Sequence, residues 1–451
     1  MVLTTGTVSS RRAPVRRKPA RTRAAAAVVR EDRTPSVLVP WLSAQSVNVA
    51  RHAAALRPFR KGEFGETDSA PSPGHIQAVN QLIESLRSEL IKLTKSVSEA
   101  SEAASVTPTT ENIQKLLRQK ETGHTWVRAV EKIWDFYFEL FGQRQSRFAD
   151  WLLSCDRIAL NCYQATYLNV GEAKSLPAPP PFSYMRTGFS PATFRRGIPL
   201  RRLGRQLNPF PLVQLPYHRL VNPWTLGAML HEVSHNLQSD LGLSRAVPHR
   251  IARTLLRGGQ GRQVAAVWSR WNRELFADMC GLLLGGPAFV ASLMDVVGRS
   301  QEATLTYVPG KPHPTPGLRT YISIELLRRM GFPEEARQLK KAWTRMYPNL
   351  RAGTIPKHVV DTFADANPMV IDSVCYQPFK QLGNKALSEV MRFGPKEQHM
   401  VEEAARRLAA GTDPGIIPSR FLIGSARFAL DHRLARPGVI TKNFYEELSR
   451  R

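Results

Sequence analysis

His231-Glu232-Val233-Ser234-His235 constrains this chain more than any other stretch, because two histidines four residues apart converge on one point when their segment is an α-helix. The flanking sequence supplies that helix. Asn222-Pro223 offers a cap and a proline for the first turn, and Trp224, Leu226, Leu230, Val233 and Leu237 then recur at helical spacing as far as Gly242. Both imidazoles therefore share a face as candidate metal ligands, and Glu232 lies between them as a candidate base toward a metal-held water.

A metal needs a further donor, and Trp271 to Asp278 provides one. Glu274 and Asp278 fall on one helical face, with Phe276, Ala277 and Met279 for packing. Glu274 completes a His₂Glu set that leaves a fourth position open, the arrangement that catalytic zinc requires. Asp278, one turn on, is suited to accept a ring proton from a ligating imidazole and fix its tautomer.

Downstream, after a Gly/Pro-containing stretch, comes His313-Pro314-Thr315-Pro316-Gly317-Leu318-Arg319. The three pieces in this order, HExxH, ExxxD and HPxxxxR, resemble the gluzincin metallopeptidases, specifically the CAAX-prenyl-protease-type family, over residues 222–321. The resemblance implies zinc on His231, His235 and Glu274, Glu232 as base and Asp278 behind the ligands. It further implies His313 as transition-state stabiliser and Arg319 as a site-organising cation. From the residues alone, Arg319 serves equally well as an ion-pair partner for Glu274 or Asp278.

Many members of that family are membrane enzymes, yet this chain offers no spanning segment. The uncharged runs 34–50 and 279–294 fall short of the roughly 20 apolar residues needed, and Pro35, Pro40 and Gly285-Gly286-Pro287 interrupt them. The second run reads instead as a kinked buried helix beneath the metal site. Residues 210–220, broken by Pro211 and Pro216, read as an edge strand of the kind that binds an extended peptide, with Tyr217 and His218 able to line the cleft or simply to end the strand. Cys155, Cys162, Cys280 and Cys375 are too few and scattered for a disulfide framework, which fits a reducing, cytoplasmic compartment.

The net charge of +26 is uneven. Residues 1–62 carry thirteen Lys/Arg against only Glu31 and Asp32, so residues 1–70 read as a disordered basic tail, with an organelle transit peptide as the alternative. No early apolar segment marks a secretory signal. Arg195, Arg196, Arg201, Arg202 and Arg205 form a second cluster, but without any recognition motif both support only nonspecific attraction to anionic partners.

Residues 71–175 read as a helical region. Ile76, Val79, Ile83, Leu86, Leu90, Leu93 and Val97 form an unbroken seam, widened by Leu82 and Ile91, which favours a packed helical hairpin and leaves dimerisation open. A zincin-like core follows over 182–321, and residues 322–451 form a helical cap expected to shape the cleft. The chain thus reads as an α+β, predominantly α-helical, soluble zinc metallopeptidase with a small edge-strand sheet. Peptide or protein is the expected substrate, and internal cleavage is favoured over terminal. The alternative is a degenerate zincin-fold scaffold or effector acting by binding.

Overall fold

The computed structural model describes residues 35–199 and 206–451. Helix α1 (Leu38–Ala55) lies within the stretch expected to be disordered, which corrects that expectation for residues 35–70. Most of the basic charge precedes residue 35, whereas the following uncharged segment places Leu42, Gln45, Val49 and Ala53 on one buried face. That face lies on α2 (Pro73–Val106) and α3 (Thr110–Gly142). Ser101 donates to the Leu42 carbonyl at 2.9 Å, and a Cβ at Gly123 would stand 3.2 Å from Val49. Residues 1–34, with the transit-peptide reading, lie outside the described residues.

Side-chain caps start the hairpin: Ser72 accepts from the His75 backbone N–H before α2, and Thr109 accepts from Asn112 before α3. Val79, Ile83, Leu86, Leu90 and Val97 are buried as the seam requires. Ile91 is not part of it. It stands 56% exposed, one position off the stripe that α1 and α3 cover.

After α4 (Ala149–Tyr167) come β1 (Phe182–Met185), β2 (Ala192–Phe194) and β3 (Leu212–Leu215), ordered β1-β3-β2 with β1 parallel and β2 antiparallel to β3. The expected edge strand is therefore central. Pro211 and Pro216 flank β3 instead of interrupting it, so all four of its residues keep their N–H groups for pairing on both sides.

Arg144 ties sheet to helices. Its side chain is 1% exposed, 2.7 Å from Asp156 on α4, donates to the Ser183 carbonyl at 2.7 Å and lies over the Phe182 ring. Removing one partner of such a pair strands the other, so Arg144→Met is expected to lower unfolding stability by about 3 kcal/mol. Equal denaturation midpoints for the variant and the parent would show that the pair contributes nothing.

The chain continues through α5 (Tyr217–Leu220), α6 (Gly227–Asp240), α7 (Ala246–Arg257), α8 (Arg262–Arg270), α9 (Asn272–Gly285), α10 (Pro287–Val297), α11 (Gln301–Leu305) and α12 (Pro316–Arg329). Asn222 does not cap α6 with its side chain; a short 3₁₀ turn, Pro223–Thr225, intervenes. The expected kink in 279–294 is a full break, because Gly286 at φ 65° and Pro287 end one helix and begin the next. No described helix is long and apolar enough to cross a membrane.

Beyond lie α13 (Pro333–Met346), α14 (Lys357–Asp361), α15 (Phe363–Ile371), α16 (Leu387–Val390), α17 (Pro395–Ala410), α18 (Leu422–Asp431) and α19 (Pro437–Arg450). The last was not anticipated. It buries Ile440, Phe444, Tyr445 and Leu448, and Tyr445 stacks on Trp151 at 4.6 Å. One continuous buried cluster runs from Leu152 through α6, α9 and α12 to Leu448, so the core crosses the boundary expected at 321/322. All four cysteines are buried and free.

Candidate metal centre

Helices α6 and α9 pack side by side. Gly285 permits this neighbourhood, since a Cβ there would come within 2.5 Å of the Leu230 side chain on α6. The buried Met229, Leu230, Val233 and Leu237 hold α6 in the core and leave His231 and His235 on its open side. Across from them, α9 presents Glu274 and Asp278 one turn apart, both buried.

The three donors expected from the sequence meet. His231 Nε2 and His235 Nε2 are 3.1 Å apart, His231 Nε2 is 3.4 Å from Glu274 Oε2, and His235 Nε2 is 3.5 Å from Glu274 Oε1. Donors on a tetrahedral ion at about 2.1 Å stand roughly 3.4 Å from one another, so the triangle has the size of one tetrahedral face. Its two imidazoles and one carboxylate suit a transition ion better than magnesium or calcium, which favour oxygen throughout.

Asp278 lies behind the donors as expected. Its Oδ1 is 2.8 Å from His231 Nδ1, which places the ring proton on Nδ1 and turns the Nε2 lone pair toward the triangle. Arg319, from α12, donates to Asp278 Oδ1 at 2.7 Å and Oδ2 at 2.8 Å, and comes within 3.8 Å of Glu274. Of its two readings, the ion pair is the geometry observed. Asp278→Ala removes both partners' counter-charge at a buried position, so a stability loss of about 3 kcal/mol is expected. An unchanged urea midpoint in that variant would overturn the assignment.

Burial opposes charge throughout this cluster, yet the hydrogen bonds that Asp278 and Glu274 accept outweigh it at His231 and lift its pKa to about 10. At His235, burial and then the neighbouring His231 charge push the value down to about 3. Glu274 and Asp278 stay below the ordinary carboxylate range despite burial, held there by His231 and Arg319. Burial raises Glu232 to about 7. A divalent ion among the donors would replace the proton that these carboxylates favour on His231 and so free its Nε2 lone pair.

Glu232 shares a cavity of about 160 Å³ with His231, Glu274, His313 and Arg319. His313 stands at the rim, 61% exposed, with Nε2 3.5 Å from Glu274 Oε1. Other parts of the wall come from segments in which no site residue was expected: Ser190 and Pro191 before β2, and Phe289, Ser292, Leu293 and Val296 on α10. Apolar helical spacing in 287–297 marks burial, but not burial against a cleft. Tyr217 and His218 are not cavity residues; they sit on α5, where Tyr217 packs on Phe148. No described residue beyond Arg319 lines the cavity, so the C-terminal helices buttress the cleft without shaping its wall. Arg196, from the second basic cluster, donates to the Ala178 and Pro179 carbonyls and so serves the fold, while Arg201, Arg202 and Arg205 lie outside the described residues.

No family model, curated protein or solved structure matches this chain.

Proposed function

We propose that the chain is a zinc-dependent peptidase of the gluzincin kind, with His231, His235 and Glu274 as ligands. The observation that carries this reading is the donor triangle with edges of 3.1, 3.4 and 3.5 Å, with Glu232 in the same cavity. Zinc bound there would supply an acidified water and a Lewis acid for the scissile carbonyl. Glu232 accepts the proton from that water and returns it to the leaving amine, a task favoured by a carboxyl whose pKa lies near neutrality. His313, at the rim, donates to the developing oxyanion.

The edge strand that serves a substrate is β2, not β3. Ser190 and Pro191 lead from the cavity directly into β2, and the side of β2 away from β3 has no strand partner among the described residues. An extended peptide can add there by main-chain pairing, with its scissile bond over Glu232.

Zinc content and peptide cleavage of the same preparation test the reading. About one zinc per chain is expected, with hydrolysis of casein or a peptide library lost on chelation and restored by zinc. A chain that folds, binds no transition ion and cleaves nothing would instead be a zincin-shaped binding protein.

A further inference from the structure

Phe189 precedes the cavity residue Ser190 in the β1–β2 loop, and its ring stands 57% exposed. Two guanidinium groups lie against that ring, Arg299 at 5.0 Å and Arg219 at 5.9 Å from its centroid. Arg299 follows the cavity residue Val296 by three positions. Both cations thus flank a ring one residue from the cleft wall, and Arg299 lies just past the end of α10. The His218 ring packs against the Phe189 ring, centroids 5.8 Å apart, and helps to hold the loop there.

Neither cation has an acidic partner among the described residues. Arg219 is the more telling, because it is only 4% exposed and its Nε has no hydrogen-bond partner. Asp295, the acid whose charge reaches Arg219, is already engaged by Arg427 at 2.5 Å. Buried charges are paired as a rule, so a nearly buried arginine whose Nε lacks an acceptor, beside a second cation with no acidic partner, is a candidate anion site. Arginine's planar fork matches a carboxylate in particular.

We propose that Arg219 and Arg299, flanking Phe189, form a carboxylate subsite at the mouth of the metal cleft. It selects peptides with a carboxylate close to the scissile bond, and it rests on the peptidase reading of that cleft. The carboxylate belongs either to an acidic side chain or to the substrate's own C-terminus.

The test uses the full chain and fluorescein-labelled octapeptide libraries in which Glu or Gln is fixed at each position in turn, with free or amidated C-termini. Binding is measured by anisotropy on the Glu232→Gln chain, so it does not depend on turnover, and hydrolysis is measured on the parent. A Glu-over-Gln or free-over-amidated preference of roughly tenfold is expected, weakening with added salt. Glu preference with amidated ends assigns the subsite to a side chain; preference for the free end alone assigns it to the C-terminus. Arg299→Gln, at an exposed position, and Arg219→Gln should each bring the ratio toward one, and Arg299→Gln keeps the test decisive if Arg219→Gln fails to fold. Equal binding of all libraries, or a preference that survives Arg299→Gln, would overturn the subsite. Hydrolysis without any acid preference would remove it while leaving the peptidase reading in place, whereas acid-selective binding without hydrolysis by the zinc-loaded parent would remove the latter alone.

Discussion

Glu232→Gln is expected to keep the fold and the zinc yet lose peptide hydrolysis by roughly 10²- to 10⁴-fold, the usual contribution of a positioned base. The substitution is nearly isosteric and removes only the group that accepts a proton. Glu232 makes no hydrogen bond or ion pair within the donor triangle, whose edges run between His231, His235 and Glu274. Its loss should therefore leave metal content untouched. Cleavage by the variant at the parental rate, with zinc measured in both, would remove Glu232 from the chemistry and the proposed mechanism with it.

His235→Ala should have the other large effect. His231 is tied to Asp278 as well as to the triangle, so its removal disturbs two things at once. His235 is the cleaner probe, since the contacts of its ring nitrogens among the described residues are with His231 and Glu274. Deleting it leaves two donors of three, and zinc affinity is expected to fall by more than the roughly 10- to 100-fold that loss of an outer partner costs. Metal analysis after dialysis against a competing chelator checks this. Full occupancy in the variant would mean that the ion sits elsewhere.

Much of the site was legible because its signals are short-range. Spacings of four on α6 and α9 place donors on one face whatever else the chain does, and the packing of α6 against α9 then brings those faces together. The walls of the cleft were less legible. Phe289, Leu293 and Val296 carry the same apolar periodicity as any buried helix, and only the packing of α10 against α6 exposes them to a cavity. The sheet misled for a local reason: proline signals a strand end as strongly as a strand edge, and β3 is too short to tell the two apart. In the same way, the basic residues before position 35 coloured the reading of α1, whose own sequence is almost free of charge.

The buried cluster from Leu152 to Leu448 has a consequence for how this chain can be divided. The three motifs span only residues 222–321, but that span owns neither its floor nor its walls. Tyr445 donates to the Leu220 carbonyl just before α6, and Arg420 donates to the Leu284 carbonyl at the end of α9. Excised as a fragment, the motif region would expose the apolar backs of both ligand-bearing helices and should neither fold nor assemble its donors. Removing residues 440–451 would then be expected to scatter the donor triangle, although none of those residues lies near the histidines.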